Sequence, residues 1–217
     1  MAKGTDFGGI HSSRDLNLIQ QLVDVQPAEP KLNLIDIPGA DGSKDFSEQP
    51  AGRVVFHDRK LTWTFALYPG ENWHDKHRQV SNALNGKRCK ITLDDDPAYY
   101  YDGRLAVKKY STDRLLRQIT IEATCKPYRL KQQVTMRSSS LKTTAANITL
   151  TNDRKPVVPT ILVTTETQLT WKGSSYVLGA GRHKVLDIEL QEGENVLTAK
   201  TTSGSGSISV EYQEGAL

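Results

Sequence analysis

The chain has 217 residues, of which 24% are charged and 37% hydrophobic, and its net charge is +3. That charge is too small, and its lysines and arginines too scattered, for a groove-binding nucleic-acid protein. No apolar run approaches the ~18 residues of a membrane-crossing helix, so neither sequence-specific nucleic-acid binding nor membrane insertion is expected. The first residues, Met1-Ala2-Lys3-Gly4, have no apolar stretch behind them and do not read as a signal peptide.

From Phe7 to Val25 apolar and polar residues alternate loosely, and Ile10, Leu16, Leu18 and Leu22 are the expected buried positions. Gln26-Pro27-Ala28-Glu29-Pro30 interrupts the run, because proline gives nothing to a sheet ladder. Leu32, Leu34 and Ile37 then mark the faces of another strand. Pro38-Gly39-Ala40-Asp41-Gly42-Ser43 is dense in turn formers. It lacks the G-x-x-x-x-G-K-[ST] order and no helical pattern follows it, so it reads as a structural turn and not a phosphate loop.

Val54-Val55-Phe56 and residues 61–67 predict two strands around a polar turn at His57-Asp58-Arg59-Lys60. Leu61, Trp63, Phe65 and Leu67 share one face of the second, which must be a core face. Pro69-Gly70 ends that strand, and Glu71 or Asn72 stands where a helix cap belongs. Trp73, His77, Val80 and Leu84 recur at helical spacing until Gly86 stops the run. His74 and His77 lie three apart, whereas H-E-x-x-H needs four, so His77 reads as the border of the packed stripe and His74 as solvated.

Cys89, Ile91 and Leu93 predict one face of the next strand, 87–93. A strand from about 99 to 110 follows, and another from 115 to 125 with Leu115, Ile119, Ile121, Ala123 and Cys125 on one side. Cys89 and Cys125 sit in strand-like runs and not in a C-x-x-C pair, which reads as buried thiols of a protein made in a cytoplasm; whether they meet on paired strands stays open. Between the strands lies Asp94-Asp95-Asp96-Pro97-Ala98-Tyr99-Tyr100-Tyr101-Asp102-Gly103-Arg104. Three carboxylates suggest a calcium or magnesium site, but adjacent aspartates point in different directions and an EF-hand spreads its ligands over about twelve residues. A tight turn followed by a strand, with Gly103 allowing a bulge or a close backbone approach, accounts for the same residues.

The fold class predicted is mainly β. Residues 1–130 form an α+β first domain of mostly antiparallel strands with one helix, 131–146 a small, polar connector, and 147–217 a β-sandwich. The seven short strands of the last are placed at 147–151, 158–164, 168–172, 175–178, 183–190, 195–201 and 207–212. Its predicted core is Ile161, Val163, Leu169, Trp171, Val177, Leu186, Ile188, Leu190, Val196, Leu197, Ile208 and Val210.

No G-x-S-x-G elbow, cysteine–histidine signature or selected carboxylate pair appears, so no catalytic residue, metal ligand or cofactor is assigned and a non-enzyme is expected. A carbohydrate-binding adhesin is the alternative of another class; its glycan contacts would be Trp171, Tyr176 and Tyr212, the aromatics of the sandwich. Trp171 fits the inward pattern with Leu169, so packing explains it as well.

Several segments resemble, in order and spacing, the distal tail protein (Dit) of long-tailed, non-contractile phages. They are Phe7-Gly8-Gly9-Ile10-His11-Ser12-Ser13-Arg14-Asp15-Leu16, Ile37-Pro38-Gly39-Ala40-Asp41-Gly42, the helix from Trp73 with Leu84-Asn85-Gly86-Lys87, Asp95-Asp96-Pro97 with Tyr99-Tyr100 and Gly103-Arg104, and Cys125-Lys126-Pro127-Tyr128. The closing Glu211-Tyr212-Gln213-Glu214-Gly215-Ala216-Leu217 is similar to tails of related baseplate proteins. Asn17 departs from the pattern, which has glycine there. The resemblance covers residues 7–128 best. It implies a belt-like first domain that closes six copies into a ring, and a galectin-like or jelly-roll sandwich on its periphery. It further implies a virion protein at the tail tip whose partners are its own copies, the tail tube protein, the tail-tip hub and a receptor-binding protein, with a central channel that passes DNA.

Overall fold

The structure, a computed structural model, describes residues 3–112 and 117–217; Leu115, expected on a core face, lies outside them. The protein is mostly β, and its sheets are antiparallel. The chain divides into two compact units, residues 1–129 and 130–217.

The first unit contains β1 (Thr5–Phe7), β2 (Leu18–Val25), the hairpin β3 (Leu34–Asp36) and β4 (Ser43–Asp45), then β5 (Arg59–Leu67), α1 (Trp73–Leu84), β6 (Arg88–Leu93), β7 (Tyr99–Thr112) and β8 (Arg117–Cys125). Its main sheet runs β1-β6-β7-β8-β5-β2. Period-two patterning does what it should on β5, where Leu61, Trp63, Phe65 and Leu67 are buried, opposite Ile119, Ile121 and Ala123 of β8. α1 is capped by Asn72, whose side-chain oxygen accepts from the N–H groups of His74 and Asp75, and it presses Trp73, Val80 and Leu84 into the same core. His77 tilts against the Trp73 ring, and His74 is exposed, as the spacing predicts.

The sheet curls until its two edge strands meet. Thr5 of β1 donates its hydroxyl to Gln20 Oε1 of β2 at 2.7 Å and accepts the Trp63 indole N–H at 3.0 Å. Ser12 bridges the same seam: its N–H donates to the Thr5 carbonyl, and its carbonyl accepts from Leu18 N. Asn17 has φ of 48°, so it adopts the left-handed conformation for which glycine is the usual choice and which asparagine tolerates.

Several expectations are corrected. Leu22 is exposed because β2 carries a bulge: Gln20 pairs with Phe65 but Leu22 with Thr64, and the extra residue reverses which side faces the core. Leu18 before the bulge is buried, and Val23 and Val25 after it pack on the core, while Leu22 points out. Val54-Val55-Phe56 is no strand. It makes one bridge, Phe56 to Pro30, with Lys31 N donating to the Val55 carbonyl, because a proline-containing partner cannot extend a ladder. Arg59 and Lys60 belong to β5 and not to the polar turn.

The second unit adds β10 (Thr135–Leu141), β11 (Ala146–Asn152), β12 (Thr160–Val163), β13 (Thr167–Trp171), β14 (Ser174–Leu178), β15 (Gly181–His183), β16 (Gly193–Thr201) and β17 (Gly206–Tyr212); β9 (Arg129–Lys131) and β18 (Gly215–Ala216) are two short strands at its ends. Two four-stranded sheets, β10-β17-β12-β15 and β11-β16-β13-β14, enclose a core that draws Ile161, Ile208 and Val210 from one and Leu150, Leu169, Trp171 and Leu197 from the other. Most of the stretch 131–146 is therefore not a connector. β10 pairs along its whole length with β17, and its run of serines is tolerated because it is an edge strand that buries only Leu141. The expected strand 183–190 ends at His183; a turn at Leu186 and Asp187 leaves Leu186 exposed, while Ile188 and Leu190 fall back into the core. Val177 and Val196 are also exposed, since they pair with the outward-facing Gln168 and Thr149.

Candidate assembly surface

The aspartate–tyrosine stretch is a corner in which each carboxylate already has a partner. Asp94 accepts the Gly4 N–H at 2.8 Å and faces His11 Nε2 at 3.2 Å. His11 Nδ1 accepts from the N–H groups of Ser13 and Arg14, which leaves the ring hydrogen on Nε2, toward Asp94. Asp95 pairs with Lys3 at 2.5 Å, Asp96 with Arg129 at 3.2 Å, and Asp102 with Arg88. The Arg88 guanidinium holds the Asp102 carboxyl below the usual carboxylate range, against a smaller opposing effect of burial. Among the described residues no group of acidic, histidine and cysteine side chains is arranged to hold a metal.

The thiols are separated by a glycine. Cys89 pairs with Gly103, and Gly103 pairs with Cys125 on its other side. Two strand spacings amount to about 9.6 Å, beyond the ~6.8 Å that a disulfide spans between Cα atoms. A Cβ on Gly103 would come within 2.3 Å of the Cys125 sulfur, so the glycine is there for close approach. Burial, with a smaller contribution from Cys89, pushes the Cys125 thiol up to about 12, and burial raises Cys89 as well. Neither is an activated nucleophile.

The aromatics expected to contact a glycan are placed differently from one another. Trp171 and Tyr212 are buried in the sandwich core, and the Tyr212 hydroxyl donates to the Thr151 carbonyl. Tyr176 packs from the margin and donates to Asp187. They form no open aromatic platform, because the strand alternation that places Leu169 inside places Trp171 there too.

What remains unspent is the β3–β4 hairpin. Leu34 pairs with Asp45, Ile35 with Lys44 and Asp36 with Ser43, and Gly39 and Gly42 take φ of 83° and 74° in the turn. The base of the hairpin is secured: Asn33 N donates to Ser47 Oγ, Phe46 N to the Asn33 carbonyl, and Ser47 N to Asp45. The two Ser47 hydrogen bonds keep the Asp45 carboxyl below its ordinary range. Yet Leu32, Leu34, Ile35 and Ile37 are 46% to 61% exposed. Leu34 and Ile35 are neighbours on a strand, so they point to opposite faces, and both faces are in water. A hollow of about 570 Å³ lies at the base, lined by Pro30, Leu32, Phe46, Glu48 and Val54 among others. A two-stranded ribbon is marginal by itself. One with large aliphatics on both faces is an unfinished surface. The pattern at Leu32, Leu34 and Ile37 signalled a strand; nothing in it signalled that no second layer would cover it.

No protein-family model matches the chain, and neither does any curated protein. Among solved structures it matches the SPP1 Dit (gp 19.1) protein, described as a paradigm of the hub adsorption apparatus in Gram-positive-infecting phages. The TM-score is 0.67 at 15% identity, over 98% of this chain and 99% of that one. The two chains share a fold along their whole length, both units included.

Proposed function

We propose that this chain is a structural, non-enzymatic component of a phage tail tip: a distal tail protein whose copies close into a ring between the tail tube and the tip hub. The observation that carries this reading is the likeness to the SPP1 Dit hub protein across 98% of the chain. A likeness confined to one unit would fit any β-sandwich; one that extends through both units in sequence is much harder to obtain from a generic β protein.

The exposed hairpin supports the self-association. A cyclic assembly joins unlike faces of neighbouring copies, and a ribbon with Leu34 on one face and Ile35 on the other can be covered on both sides by a neighbour. Taking such a side chain from full exposure to burial contributes about 1.5–3 kcal/mol, and roughly half of that is left to gain at each of these four, so together they supply part of an interface. Six copies, a DNA-passing channel and contacts to the tube, the hub and a receptor-binding protein complete the proposal. Light scattering of the purified chain over a concentration series, with negative-stain images, tests it. Rings of six support it, and a monomer that persists at high concentration without rings overturns it.

A further inference from the structure

Arg59 is the first residue of β5 and, by the alternation of that strand, lies on the core side with Leu61 and Trp63, opposite Cys125. It is only 5% exposed. Its guanidinium stands over the Tyr101 ring, 5.6 Å from the centroid. Its Nε is shut away from solvent without an acceptor, and among the described residues none accepts a hydrogen bond from this guanidinium or pairs with it. The carboxylates at that end of the sheet are engaged elsewhere, Asp102 with Arg88 and Asp58 with Lys126.

The same strand carries a matched control. Two residues before Tyr101, and therefore on the same face of β7, Tyr99 lies under Arg129, with the guanidinium 4.9 Å from the ring centroid. Arg129 also lacks an acceptor at its buried Nε, but it has a carboxylate: Asp96, at 3.2 Å. Among the described residues arginine stands on tyrosine twice, once completed by an anion and once not. The ring face returns less than the hydration a buried cation loses, so the uncompleted copy stands in deficit.

We propose that Arg59 is the receptor of an oxyanion site, which takes a carboxylate or an anion of similar size from outside the chain in the way that Arg129 takes Asp96. The planar fork of arginine matches the two-oxygen edge of that class of ligand, which a monatomic ion such as chloride lacks. The site belongs to the single chain, so it stands independently of ring formation.

The test uses the full-length protein with acetate, inorganic phosphate and chloride at matched ionic strength. The Arg59 Nε–Hε resonance is followed by NMR and the melting temperature is measured alongside. The expected result is a saturable shift of that resonance, with a rise of a few degrees in Tm, in acetate or phosphate and not in chloride. The Tm response should vanish in Arg59→Met and persist in Arg129→Met. A response to acetate alone identifies a carboxylate, such as an acidic side chain of another polypeptide, and a response to phosphate alone identifies a phosphate group. An Arg59 resonance unmoved by both anions, or an equal rise in Arg59→Met, overturns the site. Should Arg59→Met fail to fold, the wild-type resonance still decides.

Discussion

β5 and the β3–β4 hairpin are written in nearly the same alphabet and end in opposite surroundings. β5 alternates Leu61, Trp63, Phe65 and Leu67, and all four are buried. The hairpin segment offers Leu32, Leu34, Ile35 and Ile37, and all four are in water. The difference lies in cover and not in composition. β5 sits between β8 and β2 in the curled sheet, with α1 contributing to the same core; among the described residues β3 and β4 pair only with each other. Apolar alternation therefore specifies a face, and the topology decides whether anything in the same chain meets it.

Substitutions that exploit this contrast should separate in magnitude. The largest effect belongs to Trp63→Ala. It removes a fully buried ring that packs edge-on against Phe7 and Phe7's strand neighbour Thr5 through its N–H, and should cost about 3–5 kcal/mol in chemical denaturation. Gly103→Ala comes next. The added methyl meets the Cys125 sulfur and should cost about 1–3 kcal/mol, and a second change, Cys125→Ala, should return part of it.

A pH series probes the second unit in the same manner. Burial opposes ionisation of Glu214, but hydrogen bonds from Lys131 and Thr135 and the charge of Lys131 outweigh it, so its carboxyl lies below the usual value. A depressed folded value means the stabilisation is complete above the unfolded value of 4.5 and disappears as pH falls through the folded one. Melting curves from pH 7 to 3 should show wild type losing stability below about 4.5 more steeply than Glu214→Gln. Equal slopes would remove Glu214 from the account.

The smallest effect on folding is expected at the hairpin. Ile35→Asp should leave the denaturation midpoint of the dilute monomer within about 0.5 kcal/mol of wild type, while sedimentation at high concentration should show its association lost. A large loss of monomer stability would mean that the hairpin is part of the first core after all.

How much of this was legible in the residues depends on local regularity. β5, β8 and α1 were, because their periods run unbroken over nine, nine and twelve residues. Leu22 was not, because one extra residue in β2 reverses the alternation and leaves no local mark. β10 was hidden since an edge strand that buries one side chain needs no hydrophobic pattern, and Ser138-Ser139-Ser140 looks like a linker. Arg59 was hidden for the converse reason: a charged residue beside His57 and Asp58 looks like a turn, and only the register with Cys125 puts it inside. For the glycan reading, Trp171 could be recognised as a core residue from its spacing to Leu169, whereas the burial of Tyr212 depends on how the two sheets meet. Asn17 shows the reverse case, in which a departure from the expected glycine proved to be a conservative one.

The curl of the first sheet has a consequence for synthesis. Thr5 pairs with Leu93, a separation of 88 residues, so β1 is made well before its partner. At the usual ~5–20 residues per second, β1 waits about 4–18 s for its ladder partner, although Trp63 and Phe65, which pack on Phe7, are made before it. Nascent chains stalled short of residue 93 should stay open to protease at the 5–7 segment, and chains stalled well beyond it should not. Until β6 is made, the ladder groups of β1 have no strand to pair with, and that interval is when this segment is open to wrong pairing.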